Sequence, residues 1–358
     1  MEPTSTQINA NGHGAGSFAR RGKTWAITCY FDPVGRAHRI GTYREFRNRL
    51  QVPLLAVELS FGDRFDLRPG DADALIQMHH GAILWQKECL LNIALKALPT
   101  ECDVVAWIDC DVVFARDDWE LAARQALQSC NMVQPFRRLR YLEQGKQPES
   151  AGGPKPLAWF DSVAYRMTRG DLPEESFRVA GSSLRFNYAP GMAWVAQREL
   201  LERCQFYDAA ILGGGDKLMF SAACGRAEDE AHALGSNLYE KQHYLAWAKE
   251  FHEAFRGRFG YVEGDIYHLW HGDLGDRGYG KRREGFERFN FDPACDISKD
   301  ERGVWCWNSQ KPEMHKYVRD VLTRIAGLTE PKADLPPTVT GAHERKPMSE
   351  AWKEVGSN

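Results

Sequence analysis

The stretch Val104-Val105-Ala106-Trp107-Ile108-Asp109-Cys110-Asp111-Val112-Val113-Phe114 constrains this chain more than any other, because a continuous apolar run is interrupted by two carboxylates two positions apart. Its length and composition are those of a strand covered on both faces. On a strand, residues i and i+2 share a face, so the pattern predicts Asp109 and Asp111 pointing the same way and Cys110 pointing back into the core. Two like charges at the end of a buried strand repel and lose hydration, and a cation beside them relieves both costs. A divalent metal is therefore expected there.

The flanking segments supply an α/β frame. Trp25 to Phe31 reads as a strand ending at Asp32-Pro33, Gly41 to Leu50 as a helix and Pro53 to Leu59 as a second strand. Strand, helix, strand in that order predicts a parallel unit whose ligand lies beyond the strand C-termini, so Thr28, Tyr30, Phe31 and Asp32 are expected to border it. No G-x-G-x-x-G follows the first strand, which argues against a dinucleotide site. Gly81 to Leu98 reads as a helix with a stripe of Leu84, Leu91, Leu95 and Leu98, closed by Pro99. It carries Lys87, Glu88 and Asn92 toward the carboxylates.

Further along, Met132 to Phe136 reads as a short strand, residues 137–185 as a long surface excursion, and Asn187 to Ala196 as a strand entered through a Pro-Gly turn. Arg137, Arg138 and Arg140, with Tyr141 and Trp159, are the features that could grip a polyanion. Gly213-Gly214-Gly215 then precedes a helix, allowing close approach and unusual backbone angles, and places Asp216 at the helix N-terminus as a cap or a functional acid. Ile266 to Asp273 reads as a strand running into a basic loop with Arg277, Lys281, Arg282 and Arg283. His268 and His271, three apart, fall on opposite sides of such a strand, so only one of them is expected to be a metal ligand. Lys311 to Ile325 is an amphipathic helix.

Residues 1–22 and 329–358 read as disordered tails around one domain over 23–328. Across 358 residues the net charge of −3 gives no electrostatic case for nucleic acid or a membrane. No run of about 18 apolar residues and no signal-peptide core is present, so a cytoplasmic protein with no membrane span is expected. Nine scattered cysteines without a C-x-x-C read as reduced thiols and no zinc site.

Four ordered blocks, LWQKECLLN, WIDCDVVF, LGGGD and WHGDLGDRGYGKRREGF, resemble the β-1,4-galactosyltransferase family (glycosyltransferase family 7). That family carries F-N-R-x-K-L-L-N, D-V-D, G-W-G-G-E-D and an R-H-S-R-D-rich loop in the same order, and the likeness spans about residues 25 to 290. Bacterial and phage proteins with an H-L-W-H-G block are similar too. The resemblance implies a GT-A fold, with a Rossmann-like, mixed but mainly parallel sheet flanked by helices. It also implies Asp111 as a direct metal ligand, Asp109 near metal and ribose, and His271 as the second ligand. Asp216 corresponds to the catalytic base of that inverting family, and Thr28 to Asp32 with Lys87 would line the nucleotide. The chain departs from the pattern at Leu212, where the family has tryptophan, and at Gly215, where it has glutamate.

The expected activity is a metal-dependent, inverting, hexosyl-type transfer from a nucleoside-diphosphate sugar, such as a UDP-sugar, to a hydroxyl acceptor such as a saccharide. Carboxylate oxygens plus one imidazole favour Mn²⁺ or Mg²⁺, and Arg277, Lys281 and Arg282 would pair with the diphosphate. Two alternatives stand beside it: transfer to a hydroxylated nucleic-acid base, and a non-catalytic nucleotide-binding module in which Asp216 is only a helix cap.

Overall fold

The computed structural model describes residues 22–36, 38–148, 157–272 and 282–325. The segments read as tails lie outside these apart from Gly22. β1 (Lys23–Phe31) sits inside a seven-stranded sheet, and its nearly unbroken apolar sequence suits burial on both faces. It is followed by α1 (Arg39–Arg49), β2 (Leu54–Ser60), β3 (Ala74–His79), α2 (Lys87–Lys96) and β4 (Cys102–Ile108). Next come β5 (Val112–Phe114), α3 (Trp119–Ala126), β6 (Met132–Gln134), β7 (Arg138–Tyr141), β8 (Ala158–Ser162), α4 (Val163–Thr168), α5 (Ser182–Arg185), β9 (Tyr188–Ala189) and β10 (Ala193–Gln197). The remainder is α6 (Arg198–Cys204), α7 (Gly215–Ala223), α8 (Ala227–Ala233), α9 (Leu238–Phe255), β11 (Phe259–Tyr261), β12 (Asp265–His268), α10 (Pro293–Asp296), β13 (Ile297–Lys299), β14 (Trp305–Trp307) and α11 (Pro312–Ile325).

The central sheet runs β11-β6-β10-β4-β1-β2-β3, with β10 antiparallel to both neighbours and the other pairings parallel. It is thus the mixed, mainly parallel sheet expected. Alternate residues of β1 feed two cores. Ile27 and Phe31 pack under α2, α6, α7 and α9, whereas Ala26 and Tyr30 pack with Tyr43 and Phe46 of α1 and Trp119 of α3. Each large apolar side chain so buried contributes about 1.5–3 kcal/mol. Among the described residues no helix is long and apolar enough to cross a membrane, and the nine cysteines are free.

A second sheet, β5-β12-β7-β8-β9, is where the fold departs from the sequence reading. Residues 104–114 do not form one strand: β4 ends at Ile108, and Asp109-Cys110-Asp111 is the crossing from the central sheet to β5 in the second. The crossing is tied at both ends, by Asp109 N–H donating to the Met192 carbonyl (2.8 Å) and Leu269 N–H to the Asp111 carbonyl (2.8 Å). The stretch read as a surface excursion holds β7 and β8, while 149–156 lies outside the described residues. The expected strand over 187–196 is two strands in two sheets, broken at Pro190-Gly191-Met192, where Met192 has φ +80°.

The helix expected from Gly81 begins only at Lys87. Ala82 N–H bonds the Trp305 carbonyl (3.0 Å) and Trp85 N–H the Ile211 carbonyl (3.0 Å), pairings that hold residues 82–85 out of the helix. This late start puts Trp85 at the mouth of a cleft and Lys87 at the first helical position.

Candidate active site

The cleft opens at the C-terminal ends of β1 and β4, between the two sheets. Of the candidate site residues singled out in the sequence, Thr28, Phe31, Lys87, Asp109, Asp111, Tyr141, Asp216, His268, His271 and Arg282 line it. Tyr30 and Asp32 do not. Tyr30 points to the opposite face of β1, 1% exposed, with its hydroxyl on Asp66 (3.1 Å). The Asp32 carboxylate is turned inward, accepting from Val34 N–H (3.2 Å), Arg36 N–H (2.8 Å) and the Arg36 guanidinium (3.3 Å). Burial works against its charge, but Arg36, Arg39 and the backbone donors outweigh it and hold the carboxyl below its ordinary range. Arg277 and Lys281 lie outside the described residues.

Asp111 has two imidazoles beside it. His271 Nε2 is 3.0 Å from Oδ2 and His268 Nε2 is 3.6 Å from Oδ1. Ligand atoms of the three residues all lie within 4.8 Å of one another. The expectation that the histidines face apart fails because β12 ends at His268: the bond from Leu269 N–H to the Asp111 carbonyl bends the chain there and turns His271 back. His268 is 3% exposed and flanked by the Tyr141 ring, with centroids 4.7 Å apart. One carboxylate and two imidazoles form a donor set for a first-row divalent ion.

Asp109 is not part of that group, because Lys87 takes it up. Lys87 Nζ lies 2.6 Å from Asp109 Oδ1 and 2.8 Å from Asp216 Oδ2. Burial disfavours the ammonium, yet Asp109, Asp216 and Glu88 together hold it protonated well above its ordinary range. Asp216 occupies the first turn of α7, where the helix dipole favours an acid, but the N-cap is Gly214, and the Asp216 carboxylate accepts from Lys87.

The three glycines serve different ends. Gly213 (φ +83°) and Gly214 (φ +93°) adopt left-handed backbone that turns the chain into α7. Gly215 leaves room for Glu88: a Cβ there would lie 2.1 Å from Glu88 Oε1 and 2.4 Å from its Cδ. A Cβ on Gly191 would likewise meet Asp216 Oδ2 at 2.5 Å. Gly215→Ala is therefore expected to cost about 1–3 kcal/mol by overpacking, and Glu88→Ala in the same chain to recover most of it. Thermal melts of the two single variants and the double variant measure this.

Glu88 is itself buried. Burial pushes its carboxyl up to about 8, with Lys87 pulling down and Asp216 and Asp109 adding repulsion. A carboxyl raised on folding contributes stability at low pH that is lost as pH rises through its folded value. Between pH 5 and 9 the melting temperature of Glu88→Gln should therefore rise relative to wild type by about 2 °C or more, read by calorimetry across that range.

Arg36 and Arg39 also line the cleft and were missed. The available signal was two arginines three apart just after the first strand, with Asp32 to seat one of them. Arg282 sits over the Trp85 ring at 5.9 Å and against Gly213. By contrast, the arginines considered for a polyanion do not line this cleft and form part-exposed ion pairs: Arg137 with Glu263 (3.3 Å), Arg138 with Asp161 (3.8 Å) and Arg140 with Asp265 (2.5 Å).

No protein-family model and no curated protein matches the chain. Among solved structures, S. aureus TarS is 10% identical with a TM-score of 0.35, over 86% of this chain and 44% of that one, so the chain spans less than half of TarS. The mannosyltransferase PcManGT from Pyrobaculum calidifontis, in complex with GDP-Man and Mn²⁺, is 14% identical with a TM-score of 0.36, over 94% and 80%. The catalytic domain of Drosophila β1,4-galactosyltransferase 7 with xylobiose is 13% identical with a TM-score of 0.27, over 59% and 62%. These likenesses are distant, and what the cleft does is read from its own residues.

Proposed function

We propose that the chain is a metal-dependent glycosyltransferase of the GT-A type, moving a sugar from a nucleoside-diphosphate sugar to a hydroxyl acceptor with inversion. One observation carries this reading: a carboxylate with two imidazoles, and a separate carboxylate held by a lysine, face the same cleft at the end of a parallel sheet. Asp111, His268 and His271 would hold the metal, which supplies positive charge against the diphosphate as the sugar–phosphate bond breaks. Two nitrogen ligands suit Mn²⁺ better than Mg²⁺, which prefers an all-oxygen shell.

Arg39 and Arg282, with Arg36 seated on Asp32, are guanidinium groups lining the cleft that would meet phosphate oxygens, whose bidentate geometry guanidinium matches. Asp216 takes the proton of the acceptor hydroxyl as its oxygen attacks the anomeric carbon from the side opposite the leaving group. Gly191 leaves that carboxylate space. Thr28, which bonds the Ile108 carbonyl (2.7 Å), and Phe31 form the wall on the nucleotide side. The acceptor would be a saccharide or a similar hydroxyl compound.

A screen of nucleotide sugars for release of nucleoside diphosphate tests the reading. Release from at least one donor should require added Mn²⁺, stop with EDTA and return with Mn²⁺ more fully than with Mg²⁺. Metal-independent release, or none from any donor, would contradict it.

A further inference from the structure

We infer that Lys87 is a positioning residue that seats Asp216 by tying it to Asp109, so that the acid acting on the acceptor and the crossing that carries Asp111 are held as one unit. The inference rests on the reading of Asp216 as base. Its physical ground is the pair of short contacts, 2.6 Å to Asp109 and 2.8 Å to Asp216, made by one ammonium between carboxylates of two different elements. An ammonium has three donors and no acceptor, so one Lys87 side chain can hold both carboxylates at once.

Lys87 is well placed to act as a rigid link. It is the first residue of α2, a helix anchored by Leu90, Leu91, Ala94 and Leu95, each at most 2% exposed. Asp109 is fixed in turn through its backbone bond to Met192. Asp216 therefore takes its position from two anchored elements. Without the ammonium, Asp109 and Asp216 would face each other with no lysine between them, and like charges at this range drive side chains apart. The fold does not hang on the bridge, since the apolar face of α2 holds the helix, and Lys87→Met keeps the aliphatic stem.

The test is a double-mutant cycle on transfer kinetics, with melting temperature and Mn²⁺ affinity measured for every variant. Lys87→Met should lower kcat about 100-fold with donor KM changed less than about fivefold, and Lys87→Arg should restore kcat to within about tenfold of wild type. Because Lys87 acts through Asp216, adding Lys87→Met to Asp216→Asn should lower kcat by less than about threefold more. A loss confined to donor KM, a kcat within threefold of wild type, or full multiplicative loss in the double variant overturns the inference. Should Lys87→Met fail to fold, Lys87→Arg decides: a folded variant that binds Mn²⁺ normally but has lost kcat 100-fold overturns it, and retained kcat supports it. Asp216→Asn that alone keeps wild-type kcat refutes the base assignment instead, so the two failures are told apart.

Discussion

Asp216→Asn is expected to lower transfer by about 10²–10⁴-fold, the range contributed by a general base, while nucleoside-diphosphate affinity stays within about threefold. The substitution keeps the size of the side chain and the first-turn position in α7, and it removes the group that can accept a proton. The N-cap of α7 is Gly214 and not Asp216, so the substitution leaves the cap residue in place, and the carboxamide oxygen can still accept from Lys87. Steady-state kinetics with donor varied at saturating acceptor separates the effects. If Asp216 were only a helix cap, kcat would stay near wild type and the melting temperature would fall.

The second large effect is on the metal. His268→Ala and His271→Ala should each weaken Mn²⁺ binding about 100-fold or more, since even residues one shell out from a metal cost about 10–100-fold. Asp111→Asn should do the same. Calorimetric titration of Mn²⁺ into each protein in the presence of nucleoside diphosphate measures it. The prediction differs from the sequence reading, which allowed one histidine and included Asp109. Asp109→Asn should leave Mn²⁺ affinity within about fivefold, because in the structure its carboxylate is engaged by Lys87. Equal losses at Asp109 and His268 would mean that the ligand set is not Asp111, His268 and His271.

What could be read from residues alone divides by range. In the parallel core, β1, α1, β2 and β4 were legible because long apolar runs and the intervening helix are local signals, whereas the edge strand β3 (Ala74–His79), only partly buried, was not. The late helix α11 was legible too, observed over Pro312–Ile325 against an expected 311–325. The second sheet was not, because its strands are two to five residues long and pair across distance. β5 meets β12, with Val112 opposite His268, and β7 meets the same strand, with Tyr141 opposite His268. Nothing in a five-residue window announces such a partner.

The site shows the same division. The two aspartates, the glycine turn and its acid, and the histidine pair were visible as residue types at suggestive spacings. Their division of labour was hidden, because it depends on where strands stop. A strand ending at Ile108 sends Asp109 and Asp111 to different partners, and one ending at His268 lets both histidines meet Asp111. Lys87 was placed near the nucleotide, but its bridge joins positions 87, 109 and 216, which only the folded chain brings together. Glu88 went unremarked as a partner of Gly215, although it fills the space a side chain at that position would need.

Proton NMR of the sugar released by the wild-type protein from an α-linked nucleotide sugar, with Mn²⁺ and water as the acceptor, tests the central claim most directly. With Asp216 drawing the proton from an attacking oxygen opposite the diphosphate, the β anomer should appear first and decay to the mutarotated mixture. The α anomer appearing first, or no sugar released from any nucleotide sugar, would contradict the account.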